Sequence, residues 1–104
     1  MWQKACRLEA LAPGSGLAVN IGGKEIALFN AGSEIYAIAN VCPHQGGPLG
    51  EGTLQGKEVT CPWHAWQFNV RTGECLTTPG VSQQRYAVKV ENGDVFVETG
   101  SDPA

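Results

Sequence analysis

Two short motifs near the middle of the chain, Cys42-Pro43-His44 and Cys61-Pro62-Trp63-His64, constrain its fold more than any other feature. Each supplies one thiolate and one imidazole, donor types that suit transition metals. Sixteen residues separate His44 from Cys61, so the four groups act together only if the fold brings two separate loops face to face. A proline follows each cysteine, and its fixed φ pre-organises the chain beside the ligand.

The segment around the first motif, CPHQGGPLGEG, holds four glycines and two prolines in eleven residues. Such a stretch supplies little regular structure and little core. It reads as a structured loop, the kind of element on which function tends to sit when a rigid scaffold presents it. The backbone at Gly46, Gly47, Gly50 and Gly52 can approach a bound group closely, because no Cβ intervenes. Gly50 and Gly52 also fit a simpler role in turn geometry.

The flanking segments carry β signals. Leu17–Ile21 and Glu25–Phe29 enclose Gly22-Gly23, and an alternating run at Tyr86, Val88 and Val90 leads through Asn92-Gly93 to Val95 and Val97. Both are hairpin patterns, since two-residue turns of this type need positive φ. Ile35, Tyr36, Ile38 and Val41 mark a further strand. No window keeps a period of 3.6 residues, although Trp2–Leu11 could pass for a short helix. With 104 residues the chain reads as a single domain with one modest core.

Net charge is −3 and the pI is near 5.2, which argues against a nucleic-acid backbone or an anionic membrane as partner. The first residues hold no apolar run of signal-peptide length, and no stretch nears the roughly 20 apolar residues of a membrane span. A cytoplasmic location is therefore expected, where metal ligation is a better use of cysteine than disulfides. Cys6 and Cys75 have no motif around them and read as small core or surface thiols. A structural zinc ion would also accept two cysteines and two histidines. Common zinc spacings pair like with like, however, and have no need of the glycine-rich loop.

The strings CPHQGGPLGEG and CPWHAWQFNVRTGE resemble the two cluster-binding loops of Rieske proteins, with a looser similarity from about Ala5 to Glu98. The resemblance implies one [2Fe–2S] cluster, with Cys42 and Cys61 on one iron and His44 and His64 on the other. It implies an all-β fold: an antiparallel β-sandwich or barrel-like Rieske domain over 1–104, with a small cluster-binding subdomain at about 42–80. Thr77-Thr78-Pro79-Gly80 resembles the proline-containing loop that covers the cluster, and reads equally well as an ordinary turn. Respiratory members of the family carry an extra cysteine in each loop, joined as a disulfide, and serine and tyrosine hydroxyls after the second motif. Here those positions are Gly47, Trp63, Trp66 and Phe68. The chain is thus similar to the low-potential ferredoxins of bacterial aromatic-ring dioxygenases. Trp63 is expected to shield the cluster, and Trp66 and Phe68 to pack in the core.

Two neutral imidazoles in place of two thiolates leave the oxidised cluster uncharged, which eases reduction. Rieske potentials accordingly span roughly −150 to +300 mV, against about −400 mV for plant-type clusters. Fewer hydrogen bonds to sulfur place this chain toward the low end of that range. Only two histidines exist and the cluster takes both, so none remain for the two-histidine, one-carboxylate iron site of an oxygenase. A dinucleotide fingerprint is also missing. The expectation is a non-catalytic, monomeric carrier of single electrons from an NAD(P)H-dependent flavin reductase to a terminal oxygenase. The alternative is the small subunit of an assimilatory nitrite reductase.

Overall fold

The computed structural model describes residues 2–32, 34–41, 46–63 and 66–98. Cys42, His44 and His64, three of the four expected ligands, lie outside the described residues. Ten strands occur among those described: β1 (Trp2–Arg7), β2 (Gly16–Ile21), β3 (Lys24–Asn30), β4 (Ile35–Ala39), β5 (Thr53–Gln55), β6 (Glu58–Thr60), β7 (Gln67–Asn69), β8 (Arg85–Tyr86), β9 (Val88–Glu91) and β10 (Asp94–Glu98). They form three sheets, ordered β1-β10-β9, β2-β3-β4-β8 and β5-β6-β7, and the strand pairs are antiparallel. The expected all-β architecture is present, and the small third sheet is an insertion between β4 and β8.

Both hairpins form where the turn chemistry puts them. Gly22 and Gly23 join β2 to β3 with φ of 58° and 85°, and Asn92 and Gly93 join β9 to β10 with φ of 54° and 77°. Two successive positive φ values match the right-handed twist of the paired strands. Trp2–Leu11, which could pass for a helix, is instead strand β1 followed by a single 3₁₀ turn at Leu8–Ala10. The strand is fixed from a distance: β1 pairs with β10 from Trp2↔Glu98 to Arg7↔Asp94, and no local period could reveal that partner.

Strand β3 explains how three sheets share one small core. Alternate side chains point to opposite faces of a strand, and here both faces are covered. Ile26 and Leu28 join Ala37, Val95 and Val97 in a cluster between the two larger sheets. Ala27 and Phe29 join Ile38, Leu49, Val59, Phe68 and Val70 in a second cluster on the side of the small sheet. A strand buried on both faces reads as a continuous apolar run, and Ile26-Ala27-Leu28-Phe29 is that run. Full burial of side chains such as Phe29, Ile26 and Leu28 contributes about 1.5–3 kcal/mol each. The small sheet is therefore anchored through shared core to the middle of the molecule.

Candidate metal centre

The base of the first ligand loop is closed by the two chain segments that flank it. Val41 and Pro48 form an antiparallel bridge, and the Leu49 N–H donates to Asn40 O at 2.8 Å. The Asn40 side chain completes the closure: it is 2% exposed, and its Oδ1 accepts from the Gly50 N–H at 2.7 Å. The returning segment then lies flat on β2. A Cβ on Gly50 would sit 2.8 Å from Ala18 N, and one on Gly16 would sit 2.9 Å from Gly50 O. These backbones touch because both residues lack side chains. Gly52 is likewise pressed on the Thr60 carbonyl. Gly50 and Gly52 are thus held by packing against β2 and β6, the simpler of the two roles their sequence allows, and Gly47 is the glycine that faces the second motif.

The second ligand loop is the hairpin connection between β6 and β7. Thr60 pairs with Gln67, and the Cys61 N–H donates to Trp66 O at 2.7 Å. Cys61 is 2% exposed and belongs to the inner core cluster. Its Sγ accepts from the Trp63 N–H at 3.4 Å.

Gly47 joins the two loops. A Cβ there would lie 2.7 Å from Cys61 Sγ and 3.1 Å from Trp63 Cβ. The described end of the first loop therefore stands directly on the sulfur of the second motif. Gly47 and Trp63, which the resemblance matches to the disulfide positions of respiratory relatives, are also side by side. Trp63 is 50% exposed and lies over Gly47 as a partial cover. Phe68 is fully buried and Trp66 packs against the same cluster, as expected of core residues.

A third segment is tied to the second loop. Leu76 N–H donates to Gln67 O at 2.7 Å, and Gln67 N–H donates to Thr77 Oγ1 at 3.3 Å. Cys75 Sγ accepts from the Thr78 N–H at 3.3 Å and lies 3.4 Å from Thr77 Oγ1. Burial pushes the Cys75 thiol up, but these hydrogen bonds outweigh it and leave the thiol below its ordinary value. Cys6 and Cys75 are both free thiols. Asn40, Gly16 and the Thr77–Gln67 contact escape a reading of the sequence. The one signal is Asn40 itself, a polar residue closing the apolar run Ile35–Ala39.

The Cys/His motifs of the two loops suit an iron–sulfur cluster or a zinc ion, and comparison with known proteins separates the two. The chain belongs to the Rieske [2Fe-2S] domain family, whose model matches residues 1–96. The ferredoxin component of the naphthalene 1,2-dioxygenase/salicylate 5-hydroxylase systems of a Ralstonia species is 39% identical over 93% of this chain and 94% of its own length. A solved complex of reduced oxygenase and oxidized ferredoxin in carbazole 1,9a-dioxygenase includes a chain 36% identical, with a TM-score of 0.84 over 92% of this chain and 91% of that one. A structure described as an NADH-dependent nitrite reductase small subunit from Mycobacterium tuberculosis is 30% identical, with a TM-score of 0.86 over 93% of each chain. The cofactor is one Rieske-type [2Fe–2S] cluster. The residues present fit it: a buried cysteine sulfur with an N–H donor, and a glycine cradle that a single Cβ would fill.

Proposed function

We propose that this protein is a low-potential Rieske ferredoxin that moves single electrons from an NAD(P)H-dependent flavin reductase to a terminal oxygenase of the aromatic-ring dioxygenase type. Cys42, His44, Cys61 and His64 would hold the cluster, in the small cluster-binding subdomain at about 42–80. The bound cluster supplies one-electron chemistry, and everything else is done by the polypeptide. Asn40 and the Val41–Pro48 bridge fix the mouth of the first loop. Cys61 sits at the start of a tight hairpin connection. Gly47 and Trp63 exclude water from its sulfur.

The observation that carries the reading is the near-full-length likeness to dioxygenase ferredoxin components. The surface around the loops fits it: Val41, Trp63 and Leu76, all beside them, are among the few exposed large apolar residues. Such residues suit transient docking of a redox partner. The protein would be a monomeric cytoplasmic carrier and not itself catalytic. Among the described residues no helix is long and apolar enough to cross a membrane.

EPR after dithionite reduction tests the centre: an average g value clearly below that of an all-cysteine cluster is expected. Reconstitution tests the role, as NADH and a dioxygenase-system flavin reductase should reduce the protein and a terminal oxygenase should reoxidise it. A cluster that no such reductase reduces would refute the carrier role. The likeness to the nitrite reductase small subunit supports the second reading, in which the chain would co-purify with a sirohaem subunit.

A further inference from the structure

We propose that Gln83 is a positioning residue for the metal centre: its side-chain amide clamps the strand end that leads into the Cys42–His44 motif. The inference rests on the ligand reading above. Gln83 Nε2 donates to two carbonyls, Ala39 O at 2.9 Å and Val41 O at 2.7 Å, which are 44 and 42 residues away in the chain. A primary amide has two N–H donors, and here both are spent on the last turn of chain before Cys42. The Val41 carbonyl belongs to the same peptide unit as the Cys42 N–H. A donor on that carbonyl both fixes the plane of the unit and polarises it, strengthening the N–H on its other side.

The clamp is itself anchored. Gln83 N–H donates to Gly73 O at 2.7 Å, and Gln84 O accepts from the Ala39 N–H at 2.9 Å. Ser82 bridges Glu74. Gly73 has φ of 80°, and a Cβ on it would collide with Gln83 O, so the approach depends on glycine. Residues 73–75 continue from β7, the strand that leaves the second ligand loop. One short segment, 82–84, thus grips the chain entering the first motif and the chain departing from the second. It adds a second tie between two loops that otherwise meet at Gly47 and Cys61 Sγ.

The test uses the whole chain loaded with its cluster, as wild type, Gln83→Met, Gln83→Glu and Gln84→Met. Methionine keeps the length of glutamine and removes the donors. Glutamate keeps the shape and turns oxygens toward two carbonyl oxygens. Gln84 is the exposed neighbour and serves as control. Three quantities are read: the rate of iron loss to a chelator, the EPR line positions of the reduced protein, and the midpoint potential. We expect Gln83→Met to lose iron about fivefold faster or more, the factor that the net worth of a single hydrogen bond of about 1 kcal/mol implies, and Gln83→Glu faster again. Both should shift the EPR lines and the potential, while Gln84→Met matches wild type. An ordinary stabilising hydrogen bond would lower only the thermal midpoint of Gln83→Met and leave the cluster's spectrum, potential and lability unchanged; that result overturns the inference alone. A wild-type chain with no Rieske signal would overturn the ligand reading and this inference with it.

Discussion

Gly47 has no room for a side chain. The nearest atoms to a Cβ there are Cys61 Sγ at 2.7 Å and Trp63 Cγ at 3.0 Å, the sulfur of a proposed ligand and a ring that cannot move independently of it. Gly47→Ala should therefore cost about 1–3 kcal/mol, as overpacking does, and iron and sulfide per chain should fall with it. Gly56→Ala is the matched comparison, because Gly56 has φ of 62° but nothing within 4 Å of a Cβ. It should cost only the left-handed backbone penalty, about 1–2 kcal/mol, and leave iron content intact. Equal iron loss in both variants would refute the cradle. Cys6 offers a second residue-scale test. Burial pushes its thiol up, and the nearby Asp94 charge pushes it further. Asp94 faces Lys4 Nζ at 3.4 Å and Arg7 Nη1 at 3.8 Å. Folding thus favours the protonated thiol, so this group stabilises below its unfolded pKa, and that contribution is lost as pH rises through the higher folded value. Asp94→Asn should move the pH midpoint of Cys6 alkylation downward, followed by peptide mass mapping of the cluster-loaded protein. Local opening of the sheet would instead raise the plateau rate with no change in midpoint.

At the scale of elements, the first ligand loop depends on a residue ten positions from its partner. Asn40→Ala would leave the buried Gly50 N–H without its acceptor, at about 1–3 kcal/mol. Chemical denaturation should show that loss, with Asn40→Ser recovering part of it if the shorter oxygen reaches. An Asn40→Ala chain as stable as wild type would contradict the account. The two hairpins were legible because their turn residues carry the whole signal locally: Gly22-Gly23 and Asn92-Gly93 tolerate the positive φ that closes them. Strand β3 was legible as an apolar run, but its burial on both faces was not, because that depends on where the small sheet lands. Trp2–Arg7 became a strand through β10, more than ninety positions away at Trp2↔Glu98. Asn40 and Gln83 were unreadable for the same reason. An amide states that it will donate and accept, and only the fold states to whom. Both residues act at the ends of the ligand loop, which the motif itself does not encode.

The whole molecule is divided between two cores with different dependence on the metal. The cluster of Leu11, Ile21, Ile26, Leu28, Ala37, Val95 and Val97 joins the two larger sheets and contains no proposed ligand. The other contains Cys61 together with Leu49, Val59, Phe68 and Val70, and so includes part of the site in its own packing. Removing iron deprives the second core of whatever the ligand bonds contribute, since metal binding to a site formed by folding is also folding free energy. The first core keeps its apolar burial. Local stability should therefore split along this line when the cluster is extracted under reducing conditions. Amide hydrogen exchange should lose protection in β5, β6 and β7, with Val59 and Phe68 as reporters. Protection should persist in β3 and β10 at Leu28 and Val97. The shared strand sharpens the test: Ala27 and Phe29 face the metal-side core, while their neighbours Ile26 and Leu28 face the other. Backbone amides of β3 are held in place by both flanking strands, so they should stay protected even as the packing on one face loosens. Uniform loss of protection across all three sheets would mean that the molecule is a single cooperative unit, with the metal holding the whole fold and not only the end that carries the electron.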